Sequence, residues 1–225
     1  KRLNAIKEFT ELGSGFKIAM RDLSIRGAGN LLGAQQHGFI DSAGFDMYSQ
    51  MLKEAIEARK AGKKIEDIRP FEPELNLDIN AYIPETYIAD EKQKIDMYKQ
   101  FQTIQSMEDV DALTEELIDR FGDYPKEVEN LITVSILKMY ATKERVESIN
   151  ETNHALELLV EEERSQQMDG RKLFELANSF ERGFQLGTRQ NQLKITYKWT
   201  KETKLKRYEM VGDFIKQLAH VDRNE

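Results

Sequence analysis

Gly27-Ala28-Gly29-Asn30-Leu31-Leu32-Gly33 is the first stretch whose residue types and spacing suggest chemistry, because glycines so placed let a backbone approach a phosphate closely. A dinucleotide loop of that kind needs a buried strand before it, a helix N-terminus after it and an acid at the end of the next strand. Here the preceding Arg21-Asp22-Leu23-Ser24-Ile25-Arg26 is too polar for a buried parallel strand. Asp46, the acid at about the right distance, falls on a helical face. The sequence therefore speaks against a cofactor loop, and it contains no Gly-Lys-Ser/Thr run to cradle a nucleotide's phosphates. His37, His154 and His220 are scattered, with no second ligand at helical spacing, so no metal site is expected. With no Cys there is no thiolate nucleophile and no disulfide framework. Carboxylate neighbours such as Glu115-Glu116 and Glu161-Glu162-Glu163 read as solvated surface rather than acid–base pairs, so no catalytic residue is assigned.

Two polar groupings remain, each with an ordinary reading beside a functional one. Arg21, Arg26, Gln35, Gln36 and His37 are long polar side chains displayed among glycines. They make either a solvated loop or a surface whose backbone comes close to a partner while Arg or Gln reaches a phosphate or carboxylate. Glu116, Asp119 and Arg120 fall at i, i+3 and i+4 on one helical face beside Leu117 and Phe121. They make either an intrahelical ion pair worth a few tenths of a kcal/mol or a polar docking patch.

The elements that position these groups divide the chain in two. Residues 1–62 hold eight of the 13 glycines and carry nine basic against seven acidic side chains, a net +2 within a chain of 225 residues and net charge −7. The remainder is at −9, and such a split points to two modules with different jobs. Seven glycines between Gly13 and Gly44 alternate with apolar groups such as Phe16-Lys17-Ile18-Ala19, which marks a structured loop region rather than a linker. Phe45, Tyr48, Met51, Leu52, Ala55 and Ile56 then predict an amphipathic helix stopping at Gly62. The charged, Pro-containing stretch 63–74 reads as a linker, followed by a second domain over 75–225.

In that second domain Leu75, Leu77, Ile79 and Ala81 alternate with polar residues, the period of a half-buried strand ended by Pro84. Asp90 and Ser106 are placed to cap two helices, Gly122 to end the second, and Pro125 to open a third at its first position. Strands are expected over 156–160 and 193–199, with a helix near 170–180 between them and a last amphipathic helix on Leu205, Tyr208, Val211, Ile215 and Leu218. The expected class is α+β. No window is apolar enough for a membrane-spanning helix, and neither a secretory leader nor a membrane partner is expected, so the sequence suggests a cytoplasmic setting. Lys1 in place of Met, inside a helical pattern, predicts a piece of a longer protein.

The run from Glu11 to Gly38, Glu-Leu-Gly-Ser-Gly-Phe-Lys-Ile-Ala-Met-Arg-Asp-Leu-Ser-Ile-Arg-Gly-Ala-Gly-Asn-Leu-Leu-Gly-Ala-Gln-Gln-His-Gly, closely resembles the TRG (translocation in RecG) motif of superfamily 2 DNA translocases. With Ala43-Gly44-Phe45-Asp46 and Glu116-Leu117-Ile118-Asp119-Arg120-Phe121-Gly122, the whole chain resembles the C-terminal part of the bacterial transcription-repair coupling factors. The second module separates that family from RecG. The resemblance implies an N-terminal helical hairpin and hook over 1–62, coupling ATP hydrolysis to movement on double-stranded DNA, and a regulatory α+β domain. It implies translocation-coupling roles for Arg26 and Gln36, with Arg21 a weaker candidate, and a protein-docking role for Glu116, Asp119 and Arg120. The implied partners are the protein's own N-terminal UvrB-like module and motor domains, UvrA, RNA polymerase and double-stranded DNA. ATP and Mg would be held by motor domains upstream of Lys1, with no cofactor in this chain.

Two other readings stay beside it. One is a free-standing nucleic-acid-binding adaptor using the +2 module, for which the overall acidic charge predicts weak binding to duplex DNA. The other is an enzyme built on the Gly27 to Gly33 loop.

Overall fold

Ser106 and Asp90 do what their positions suggest. In the computed structural model, which describes residues 56–57, 60–62, 71–181 and 183–224, the Asp90 side chain accepts from the Gln93 amide at 2.8 Å and starts α1 (Glu91–Gln102). The Ser106 hydroxyl accepts from the Asp109 amide and starts α2 (Met107–Phe121). Gly122 ends α2 at φ +82°, a conformation that costs glycine little. Pro125 stands one position earlier than expected: it is the N-cap of α3 (Lys126–Lys143), its extended ψ of 174° lying outside the helix.

Among the described residues five strands form one mixed sheet in the order β1-β2-β3-β5-β4. They are β1 (Glu74–Asn76), β2 (Val146–Glu151), β3 (Ala155–Val160), β4 (Phe184–Arg189) and β5 (Gln192–Lys198). The edge strand β1 runs parallel to β2, and the other pairs are antiparallel. Three more α-helices, α4 (Glu162–Gln167), α5 (Gly170–Ser179) and α6 (Lys204–Gln217), complete the α+β domain. α3 lies against β2 and α6, α5 lies against β4, and α1 and α2 pack beside α3.

The alternation from Leu75 to Ile83 is present as burial but only partly as strand. Leu75, Leu77, Ile79, Ala81 and Ile83 are all buried, yet only Glu74–Asn76 joins the ladder. β2 ends at Glu151, so the backbone beyond Asn76 has no strand to pair with. It continues as an extended strap held by side chains: the Asp78 amide donates to Glu151 at 2.6 Å, and Asn130 donates to the Asn80 carbonyl at 2.8 Å. The end of the stretch read as linker also packs on the domain, with the Arg145 guanidinium 4.0 Å from the Phe71 ring centroid and Glu72 paired to Lys138 at 3.0 Å.

β2 and β4 were not apparent from local pattern, for two different reasons. The register of β2 against β3 shifts between Val146 and Ser148, so its buried residues Val146 and Ile149 lie three apart and the two-residue period is broken. β4 turns into β5 through Gln190 and Asn191, both at positive φ (50° and 67°), a two-residue hairpin turn made without glycine. The core between sheet and helices holds Leu156, Leu158, Ile195, Tyr197, Val211 and Ile215. Phe184 of β4 stacks on Phe214 of α6 at 4.2 Å, with Phe180 edge-on to Phe184 at 5.1 Å.

Candidate functional site

α2 is positioned at both ends. At its start the Asp109 amide donates to the Ser106 hydroxyl, and the Asp109 carboxylate reaches back past the cap to accept from the Gln105 amide at 2.9 Å, which fixes the chain's entry into the helix. At its end the Tyr87 hydroxyl donates to the Gly122 carbonyl at 2.7 Å, and the Tyr87 ring meets Phe121 edge-on at 6.0 Å. Val110, Leu113 and Leu117 bury the inner face. The outer face is left to six carboxylates and one arginine along fifteen residues, a strongly negative ridge.

The three candidate docking residues do not act as one cluster. Arg120 binds the Glu116 carboxylate at 2.9 Å, and Gln100 of α1 approaches the same oxygen at 3.5 Å. The guanidinium also lies 5.0 Å from the Phe121 ring centroid and 3.9 Å from the Met97 sulfur. Glu116 and Arg120 are thus oriented along the α1 side of the helix, half-exposed and already paired. A surface pair of this kind contributes little to stability, about 0.3–0.5 kcal/mol. Asp119 projects into solvent with no ion-pair or hydrogen-bond partner among the described residues.

Ile118 was not among the residues singled out from the sequence. It is 43% exposed beside Asp119, and Met107, eleven residues earlier and so on the same side of α2, is 38% exposed, two apolar side chains among the carboxylates. Its signal was in the sequence: Val110, Leu113, Leu117 and Phe121 share one face, and Ile118 falls off it. Pre-formed polar groups around an exposed apolar residue suit a protein interface, where a few anchors carry the energy and charges set the register.

Arg21, Arg26 and Gln36 lie outside the described residues, as do the Gly27 to Gly33 loop and His37. His154 and His220 are exposed. Among the described residues no group of three or more His, Cys, Asp or Glu side chains is arranged to hold a metal ion, and no helix is long and apolar enough to cross a membrane.

A family model described as the TRCF domain matches residues 77–171. The sequence is 62% identical over 196 residues to the transcription-repair-coupling factor of Bacillus subtilis (strain 168), covering 87% of this chain and 16% of that protein. It is 46% identical over 202 residues to the transcription-repair-coupling factor of Staphylococcus haemolyticus (strain JCSC1435), covering 90% and 17%. The fold is similar to the crystal structure of the C-terminal domain of a transcription-repair coupling factor, with a TM-score of 0.61 and 25% identity over 67% of this chain and 96% of that one. The chain therefore spans only 16–17% of the length of these curated relatives.

Proposed function

Because this chain belongs to the transcription-repair coupling factor family, we propose that it serves transcription-coupled DNA repair as the coupling and docking end of an ATP-dependent DNA translocase. In this reading 75–225 is a regulatory domain whose α2 ridge docks on the protein's own UvrB-like module, covering the surface that UvrA would use. Residues 1–62 carry the coupling element, with Arg26 and Gln36, and secondarily Arg21, transmitting hydrolysis to movement on double-stranded DNA. ATP and Mg belong to motor domains elsewhere in the full-length protein, which displaces stalled RNA polymerase.

The observation that carries the docking role is the geometry of α2. It is a helix fixed at both termini, with a pre-paired Glu116–Arg120 on one flank and free Asp119 beside exposed Ile118 on its crest. The ion pair needs no reorganisation to meet a partner, which lowers the entropy cost of docking.

The experiment has two arms in the full-length protein. Replacing Glu116, Asp119 and Arg120 together by Ala should raise basal ATPase activity or UvrA binding by roughly 5- to 150-fold, the span of a typical coupling energy. An unaltered basal state refutes the docking role. Replacing Arg26 or Gln36 by Ala should abolish polymerase displacement with ATP binding intact, and unchanged displacement refutes the coupling role.

A further inference from the structure

Charge in this acidic domain is polarised. Between positions 182 and 207 the sequence carries eight Lys or Arg and one acid, Glu202. Of these, Arg189, Lys194 and Lys198 lie on the β4–β5 hairpin, at the sheet edge opposite β1, while Lys204 at the start of α6 turns back to Asp78 and Glu151 beside β1 and β2; the acidic α2 packs beside α3.

The hairpin sorts its residues by face. Leu193, Ile195 and Tyr197 of β5 and Phe184 of β4 are buried toward the helices, so Gln192, Lys194, Thr196 and Lys198, with Gln185, Gly187 and Arg189, take the other face. Arg189 stands opposite Gln192, so Arg189, Lys194 and Lys198 form a row spanning about 20 Å at 3.3 Å per residue. Arg189 and Lys198 are exposed and have no ion-pair partner among the described residues. Lys194 reaches Glu157 of β3 only at 3.7 Å, both side chains about 40% exposed, a pair weak enough to exchange for another anion. Glu147 of β2 accepts from Gln192 at 2.6 Å.

We propose that the outward face of the β4–β5 hairpin binds the phosphate backbone of double-stranded DNA, without sequence preference, through Arg189, Lys194 and Lys198. The surface fits a nucleic acid better than an acidic protein because the outward side chains of β4 and β5 are polar, and Leu159 of β3, which stands opposite Lys194 on the same face, is only partly exposed. It fits a duplex better than a single strand because it offers no aromatic platform for bases: Trp199, at the end of β5, is covered by the Arg207 guanidinium at 4.2 Å. The row is long enough to meet several phosphates, since duplex DNA presents one on each strand per roughly 3.4 Å of axis. Gly187 leaves the centre of the surface flat, with open space where a side chain would stand.

The test is fluorescence anisotropy of a labelled duplex with the 225-residue chain across a salt series. Three phosphate contacts predict a log–log salt slope of about −2.7. Arg189→Gln, Lys194→Gln and Lys198→Gln together should weaken low-salt binding by about tenfold or more and flatten the slope, with the circular dichroism melt unchanged. Should the triple variant fail to fold, the exposed Lys198→Gln alone should reduce the slope by about one. The proposal is overturned if the parent chain binds no duplex at the lowest salt, or if the variants keep its affinity and slope, as binding through residues 1–62 would require. It is also overturned if single-stranded DNA binds more tightly, or if polyglutamate displaces the duplex at equal charge concentration.

Discussion

Tyr208 of α6 donates its hydroxyl to a carboxylate oxygen of Glu151, at the end of β2, across 2.6 Å. The Glu151 side chain is only 4% exposed, and the same oxygen accepts the Asp78 amide at 2.6 Å, while Lys204 stands 3.7 Å from the other oxygen. One buried carboxylate therefore ties together the last helix, the sheet and the strap that leads in from the first half of the chain.

Replacing Tyr208 by Phe keeps the ring and removes that donor. The expected cost is about 1–3 kcal/mol, the penalty for leaving a buried acceptor short of a partner. A urea unfolding curve measures it, and a midpoint equal to that of the parent would show that Asp78 and Lys204 satisfy the carboxylate alone.

Arg164 of α4 makes a second such node. It is buried, and its guanidinium binds Asp222 at 2.5 Å, Glu144 at 3.0 Å and the Leu218 carbonyl at 2.8 Å, fastening the chain's end to the end of α3. Arg164→Met preserves much of the volume but leaves Glu144, itself largely buried, without its counter-charge. A loss of about 3–5 kcal/mol is expected from breaking one side of a buried ion pair. Adding Glu144→Gln to the same variant should recover part of it, and a double variant no more stable than the single one would contradict this account.

Stability should fall on the alkaline side. Burial pushes the hydroxyls of Tyr98 and Tyr208 far above the ordinary tyrosine range, and the neighbouring Glu151 pushes Tyr208 further. In the unfolded chain both ionise near pH 10. Below that value both states hold their protons and the contribution is complete. As pH rises above it, only the unfolded state releases protons and gains from doing so, and the native advantage shrinks. Denaturant midpoints should be level up to about pH 9 and decline from about pH 10. The decline should be shallower in Tyr98→Phe with Tyr208→Phe, and an equal slope in that variant would place its origin elsewhere.

Features that depend on neighbouring residues were legible in the sequence. The Asp90 and Ser106 caps, the Gly122 stop, the apolar faces of α2 and α6, the apolar run of β3 and the alternation of β5 follow from capping chemistry and from helical and strand patterns, which a short window contains. That Glu116, Asp119 and Arg120 share one helix and lie within a turn of each other was legible for the same reason. Their surroundings were not: that Glu116 and Arg120 face α1 while Asp119 stands clear depends on where α1 packs, and Gln100 is 16 residues from Glu116.

By itself, then, the sequence determined an α+β domain, the identity of most of its helices and strands, and a polar patch on one helix, because each rests on local period and capping. Only the tertiary structure decided that β1 lies parallel at one edge, that a bulged β2 and a glycine-free turn complete the sheet, and that basic residues scattered along β4 and β5 fall into one row. The same holds for the carboxylate of Glu151 and the guanidinium of Arg164, which join segments more than 50 residues apart. Pairing at that distance depends on which surfaces the chain buries together, and that information resides in the packed core rather than in any local stretch of residues.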